Sequence, residues 1–262
     1  MSSRTETGNA SDVDILMYHS ISDAAGPTSI REPVFRAQMA ALADADASLL
    51  SLDDFLAWHG GRIEVKAPAV VLTFDDGFAD FSSRAWPVIR DFGWPVAVFL
   101  PTSHVGSVEG WKGIAQPPRR LMSWDEISRL AGEGVGFEAH SASHPDLRQL
   151  DDARLEQEIV GCMEVIEHRT GRRPRHFAPP YGLATAATRA AIARHCASSC
   201  GTRLDRAGRA SDIYDLPRLE MLYFTDIGRW RAHLAGRGGA YLGFRKGMRS
   251  VRNVVSKPWN RM

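Results

Sequence analysis

Short apolar runs alternate along the chain with stretches in which apolar positions recur every three or four residues. The runs lie at 15–18, 69–74, 96–100 and 135–139, with shorter ones at 176–178, 197–200 and 214–221. Ala69-Val70-Val71-Leu72-Thr73-Phe74 has a single polar member, the pattern of a strand buried on both faces. Helical periodicity covers 35–47, 81–92, 124–133, 153–170, 186–195 and 226–234. Ser123, with Glu126 three residues on, forms a capping box at the head of the third. Strands alternating with helices build parallel β-α units. About seven such units in 262 residues predict an α/β fold. The expectation is one distorted, seven-stranded, TIM-like (β/α) barrel, complete or incomplete, with an open doubly wound sheet as the alternative. The barrel is expected over 13–236, after a disordered N-terminus at 1–12 and before a basic C-terminal tail at 237–262. Segment 103–120, rich in Gly and Pro, reads as a long loop, and such loops usually carry function or move.

Polar residues crowd the downstream ends of the apolar runs. His19-Ser20 follows the first and Asp75-Asp76-Gly77 the second. His140-Ser141-Ala142-Ser143-His144-Pro145 follows the fourth, and Pro179-Pro180-Tyr181-Gly182 the fifth. In a barrel these ends meet on the face where active sites are built. Two imidazoles and a carboxylate make a three-ligand metal set that leaves positions open for water and substrate. With two adjacent aspartates, one can bind the metal while the other acts as base. The same set suits non-haem iron(II), but a second carboxylate favours hydrolysis. By spacing alone, Asp-Asp-Gly is equally a turn, and His-x3-His equally two surface histidines.

Composition narrows the classes. The chain is 44% hydrophobic and 24% charged, which excludes disordered, collagen-like and coiled-coil proteins. A net charge of +1 points to no nucleic-acid partner. Residues 229–262 hold nine Lys or Arg and no acid, so the rest is acidic. That basic segment is expected either to touch an anionic membrane peripherally or to be a solvated tail. Three cysteines, Cys162, Cys196 and Cys200, form no disulfide framework; they read as core residues of a reducing compartment. No signal peptide and no run of 18 apolar residues is visible, so the expected location is cytoplasmic.

Leu72-Thr73-Phe74-Asp75-Asp76-Gly77, then His140 to Pro145, then Phe177-Ala178-Pro179-Pro180-Tyr181-Gly182, resemble the motifs of the polysaccharide deacetylase family of carbohydrate esterases. The likeness runs over about 15–221. It implies a distorted (β/α) barrel that hydrolyses an N-acetyl, occasionally O-acetyl, group on a sugar with a divalent metal. Zinc is usual, with cobalt, nickel or iron(II) as alternatives. Carried onto this chain, Asp75 becomes the general base, and Asp76, His140 and His144 the metal ligands. Tyr181 matches the position whose backbone N–H faces the oxyanion, with Pro179 and Pro180 stiffening its loop.

Two positions depart from the family pattern. Ala178 stands where many members have an arginine paired with the base. Arg218, in Asp215-Leu216-Pro217-Arg218, is the substitute expected to pair with Asp75, the alternative being a salt bridge at the rim. The late Leu-x-His motif that supplies a general acid is missing. His233, in Ala232-His233-Leu234, has the wrong neighbours and reads as solvated. His19, in Met17-Tyr18-His19-Ser20, resembles the early histidine of the poly-β-1,6-N-acetylglucosamine deacetylase branch and is assigned as acid, or else is a hydrogen-bonded strand-end residue. His59, His104, His168, His176 and His195 read as structural or exposed. Trp111 and Trp124 flank the long loop; Trp111 is expected either to stack on sugar or to pack the loop down. A metal amidohydrolase of small non-sugar amides and a non-catalytic carbohydrate-binding barrel remain the competing functions.

Overall fold

The structure, a computed structural model, describes residues 8–111 and 117–255, with residues 250–255 described by backbone alone. Strands β1 (Asp12–Tyr18), β2 (Ser48–Leu50), β3 (Ala69–Phe74), β4 (Ala97–Leu100), β5 (Gly136–Ala139), β6 (His176–Phe177), β7 (Ser198–Ser199), β8 (Ala207–Gly208) and β9 (Leu219–Glu220) form one curled sheet. Its order is β7-β6-β5-β4-β3-β1, with β9 on the far side of β1. These seven are mutually parallel. Short β2 covers the start of β3, and β8 runs antiparallel to the start of β1. The sheet curls until the segment before β9 reaches β7. Leu216 N donates to Ser199 O at 2.9 Å, Gly201 N to Leu216 O at 2.8 Å, and Arg218 N to Arg203 O at 2.9 Å. The result is the distorted barrel expected, not the open sheet.

Helices α1 (Glu32–Asp44), α2 (Leu52–His59), α3 (Trp86–Asp91), α4 (Trp124–Gly132), α5 (Asp152–Thr170), α6 (Ala186–Ala193), α7 (Ile227–Ala232) and α8 (Gly239–Val255) follow the strands. Ser123 and Glu126 form the capping box of α4, and Ser51 with Asp54 caps α2 in the same way. The helix expected at 81–92 divides into a wide π turn at Phe81–Ala85 and α3. Pro87 has no N–H to close an α turn there. β3 is buried at every position, packed between β1, β2 and β4.

Three expectations are corrected. Residues 8–12, assigned to a disordered start, are held: Ala10 N donates to Val65 O at 2.7 Å, and Asn9 pairs with Lys66; residues 1–7 lie outside the described residues. The long loop is partly paired, Val108 with Arg120 and Leu121 with Phe78, although 112–116 lie outside the described residues. The basic segment is not all tail. Residues 239–255 form α8, anchored by buried Leu242, by the Tyr241 hydroxyl on Tyr223 O at 2.6 Å, and by Arg245 over the Tyr223 ring at 3.9 Å. Residues 256–262 of the expected tail lie outside the described residues. No helix among the described residues is long and apolar enough to cross a membrane.

Candidate metal centre and active site

The strand ends bring His19, Asp75, Asp76, His140, His144, Tyr181 and Trp111 around one cleft of about 440 Å³. The loop after β3 is fixed at both ends. Asp75 N donates to Tyr18 O at 2.9 Å, and Met122 N donates to Gly77 O at 2.9 Å. Gly77 has φ +68°, and a Cβ there would lie 2.6 Å from Leu100 Cδ2, so a side chain would strain the backbone and displace Leu100. The loop after β5 is tied to α5, since Ser143 N and Oγ both donate to Glu158, at 2.8 and 2.6 Å. Ser141 Oγ accepts from His144 N at 3.0 Å and turns that ring back towards the strands.

Asp76 Oδ1 lies 3.3 Å from His140 Nε2 and 3.4 Å from His144 Nε2. All three side chains are buried, and one ligand atom of each lies within 4.8 Å of the others. His140 Nδ1–H donates to Ala178 O at 2.6 Å, which leaves Nε2 of the neutral ring as a bare lone pair aimed at Asp76. A buried carboxylate oxygen facing imidazole lone pairs needs a cation between them. Two nitrogens and one oxygen are a donor set for a divalent metal of the zinc type, so the residues fit the group. Burial opposes charge on Asp76, yet the two histidines beside it, His140 and His144, hold its carboxyl well below the usual range. Burial lowers the His144 pKa, a shift that Asp76 only partly opposes, so the ring stays neutral and able to ligate.

Arg218 is fully buried and meets Asp75 with both ends of its fork, Nη1 on Oδ1 at 2.7 Å and Nη2 on Oδ2 at 2.8 Å. Its Nε donates to Gly201 O at 2.9 Å and Nη1 to Thr73 Oγ1 at 3.2 Å. Burial works to raise the Asp75 carboxyl; the Arg218 charge and hydrogen bonds outweigh it and hold the group below the usual range. The expected Arg218–Asp75 pair is therefore present. His19 Nε2 stands 3.9 Å from Asp75 Oδ2. Its loop is pinned by Asp80, which accepts from Ser20 Oγ at 2.6 Å and from Ile21 N at 2.8 Å.

An aromatic shell surrounds the ligands. Trp111 stacks on the His144 ring at 4.3 Å, and Tyr181, 40% exposed, meets that ring edge-on at 4.8 Å. Trp111 thus packs against His144 and lines the cleft at once. Pro180 is buried beneath Tyr181. His233 is no part of the site and is not solvated. It is buried at the other end of β1, where Nε2 lies 2.9 Å from Asp14 Oδ2 and its ring stacks on Trp230 at 5.5 Å.

Backbone strain marks the site in a way sequence reading missed. Asp76, Ser141, His144 and Tyr181 all have positive φ, between 58° and 71°. Each costs of order 1–3 kcal/mol, and such residues cluster where geometry serves function. Also missed was a pair in the cleft wall: half-buried Arg119 donates to buried Glu109 from Nε and Nη2, both at 2.8 Å, and ties the long loop to Thr28 and Ser29. Glu220, at the end of β9, lines the cleft as well, and burial raises its carboxyl.

Residues 62–198, more than half of the chain, match the sequence profile of polysaccharide deacetylases. The chain belongs to the polysaccharide deacetylase family. YxkH of Bacillus subtilis (strain 168), itself assigned only by family, is 23% identical over 179 residues, 68% of this chain and 59% of its own length. The poly-β-1,6-N-acetyl-D-glucosamine N-deacetylase of Escherichia coli (strain K12) is 34% identical over 89 residues, 33% of this chain and 13% of that protein. This deacetylase-family chain therefore spans less than two thirds of either relative. Among solved structures, IcaB from Ammonifex degensii superposes with a TM-score of 0.72 at 20% identity, covering 88% of this chain and 98% of IcaB. The barrel is thus the fold of that structure.

Proposed function

We propose that the protein is a metal-dependent hydrolase that removes the acetyl group from an N-acetylated sugar in a polysaccharide or glycan precursor, releasing acetate. The observation that carries this reading is the convergence of Asp76, His140 and His144 beside an Asp75 whose two oxygens are both held by Arg218. Family membership and the deacetylase names of the relatives support it. Asp76, His140 and His144 hold the metal, zinc by their donor types. When bound, it supplies a Lewis acid for the acetyl carbonyl and lowers the pKa of water towards neutrality. Asp75, kept ionised by Arg218, accepts a proton from the attacking water. His19 donates a proton to the leaving sugar amine. The Tyr181 backbone N–H faces the oxyanion that develops on the acetyl oxygen, and Pro180 fixes that turn. Trp111 and Tyr181 present ring faces to the sugar. The outer face of α8, where Phe244 and Met248 are exposed beside Arg245 and Lys246, supports peripheral contact with an anionic membrane.

The test is acetate release from N-acetylated oligosaccharides by zinc-loaded protein, beside Asp75→Asn and chelator-treated samples. Acetate that disappears in both controls is expected. No acetate from any sugar while zinc remains bound stoichiometrically overturns the reading in favour of another amide substrate or a binding barrel.

A further inference from the structure

The cleft continues past the acetyl site. Thr202, Gly182 and Arg249 line it, and the same residues line a second cleft of about 510 Å³ between α6, the loop after β7, and α8. The second cleft is rich in cations. Arg189, Arg203, Lys246 and Arg249 face it, against Asp205 and Asp215. Lys246 Nζ lies 2.7 Å and Arg203 Nη1 3.4 Å from Asp205 Oδ2, so that carboxylate is neutralised within the wall. Arg189 and Arg249 differ. Both are half-buried, and among the described residues neither has a carboxylate within 4 Å. Among the described residues, the Arg189 guanidinium donates to a carbonyl, Ala184 O at 3.3 Å. Asp215 is the remaining acid of the second cleft, and Glu220 in the adjoining cleft also feels the Arg249 charge; the second cleft itself is left net positive.

A neutral glycan presents hydroxyls and amides, which do not call for half-buried guanidiniums. Guanidinium forks match planar or tetrahedral oxyanions, and they gain strength where water is partly excluded. The position of Arg249 is also built. It sits on α8 two turns beyond the anchor of Tyr241 and Leu242, at the junction of the two clefts. The basic C-terminal segment, which the hydrolytic site leaves unused, thus contributes two of the four cations.

We propose that the second cleft is a subsite for an anionic group, phosphate or carboxylate, carried on the same glycan whose acetamido group lies at Asp75. This rests on the deacetylase reading. The sugar bearing the acetyl group occupies the first cleft, and a neighbouring charged unit is held by Arg189 and Arg249. The substrate class is therefore an acidic N-acetylated glycan, not a neutral homopolymer.

The experiment uses the full zinc-loaded chain and three N-acetylglucosamine disaccharides of equal size: one neutral, one bearing a phosphate monoester, one bearing a uronic carboxylate. Binding is read by calorimetry at low and high salt, and acetate release in parallel. Either charged sugar is expected to bind about tenfold more tightly than the neutral one, as one charge-assisted contact implies. That ratio should fall with salt and approach one in Arg189→Gln and Arg249→Gln. Circular dichroism establishes that the variants fold, and Arg189→Lys, which keeps the charge, should retain part of the preference. The phosphate and carboxylate arms identify which anion is meant. Equal binding of all three sugars overturns the subsite even if acetate is released. Arg-dependent preference without acetate release supports the subsite and removes the deacetylase reading. Variants that lose affinity only for vesicles of anionic phosphatidylglycerol, with sugar binding unchanged, overturn the subsite and give these cations to the membrane.

Discussion

Arg218→Met is the most informative single change in this barrel. The guanidinium is fully buried and makes two bonds to neutral acceptors, Gly201 O and Thr73 Oγ1, besides its fork on Asp75. Losing the neutral bonds costs about 0.5–1.5 kcal/mol each. Stranding Asp75 as an unpaired buried charge costs about 3–5 kcal/mol more. The sum is at least about 4 kcal/mol, a large share of the roughly 5–15 kcal/mol that holds a domain together. The double variant Asp75→Asn with Arg218→Met removes both charges, and it should recover most of the charge penalty. Urea denaturation of wild type, both single variants and the double variant measures this directly. The pH dependence has a definite sign. The folded-state pKa of Asp75 is depressed, so the stability from the pair is present above the ordinary carboxylate pKa. It is lost as pH falls through the lower folded value, and the gap between wild type and Arg218→Met should narrow there. If the single-variant losses simply add in the double variant, Asp75 and Arg218 are not an energetic unit and the assignment of Arg218 fails.

Zinc titration should change tryptophan emission, because Trp111 stacks on the ligand ring of His144; Trp111→Phe should abolish the change while cobalt absorption persists, and chelation should lower the melting temperature by the loss of a ligand worth about 2.7 kcal/mol at a hundredfold excess over its Kd. His19→Ala should cut acetate release from an N-acetyl sugar about 10²–10⁴-fold, but far less from an aryl acetate, whose phenolate leaves without a proton; equal losses on both would sink the role of His19 as acid. Glu138 accepts from Arg175 N and His176 N, yet burial raises its pKa, so its charge costs stability above that pKa and nothing below the ordinary one. Glu138→Gln should therefore raise the urea midpoint at pH 7.5 but not at pH 4, and a gain that persists at pH 4 would contradict the burial cost.

The legible parts of the fold were the long ones. The apolar run at 69–74 is β3 to the residue, because a strand buried on both faces is apolar at nearly every position. β2 and β8, of three and two residues, are too short to show a period. The candidate metal-site residues were legible because each follows a strand. Their orientation was not: Asp76, Ser141 and His144 take positive φ in loops held through Gly77 by Met122 and through Ser143 by Glu158, neither of which looks functional in the sequence. His233 misled for a related reason. It sits in an Arg-rich stretch between Arg229 and Arg237, whereas its partner Asp14 lies 219 residues away.

The seam where β7 meets the segment before β9 deserves to be seen as a moving part. It is crossed by the backbone bonds of Leu216, Gly201 and Arg218, between two-residue strands, so it is the natural place for the barrel to breathe. The Arg218 side chain spans the same gap, bonded to Gly201 on one side and to Thr73 and Asp75 on the other. A fluctuation that unzips the seam breaks the Nε bond to Gly201 and leaves the fork on Asp75 with one anchor fewer. Hydrogen exchange at the Leu216 and Arg218 amides would then report more than local fraying: it would count how often the guanidinium that holds Asp75 loses its Gly201 anchor. A ligand that suppresses that exchange would be tightening the barrel and arming Asp75 in the same motion.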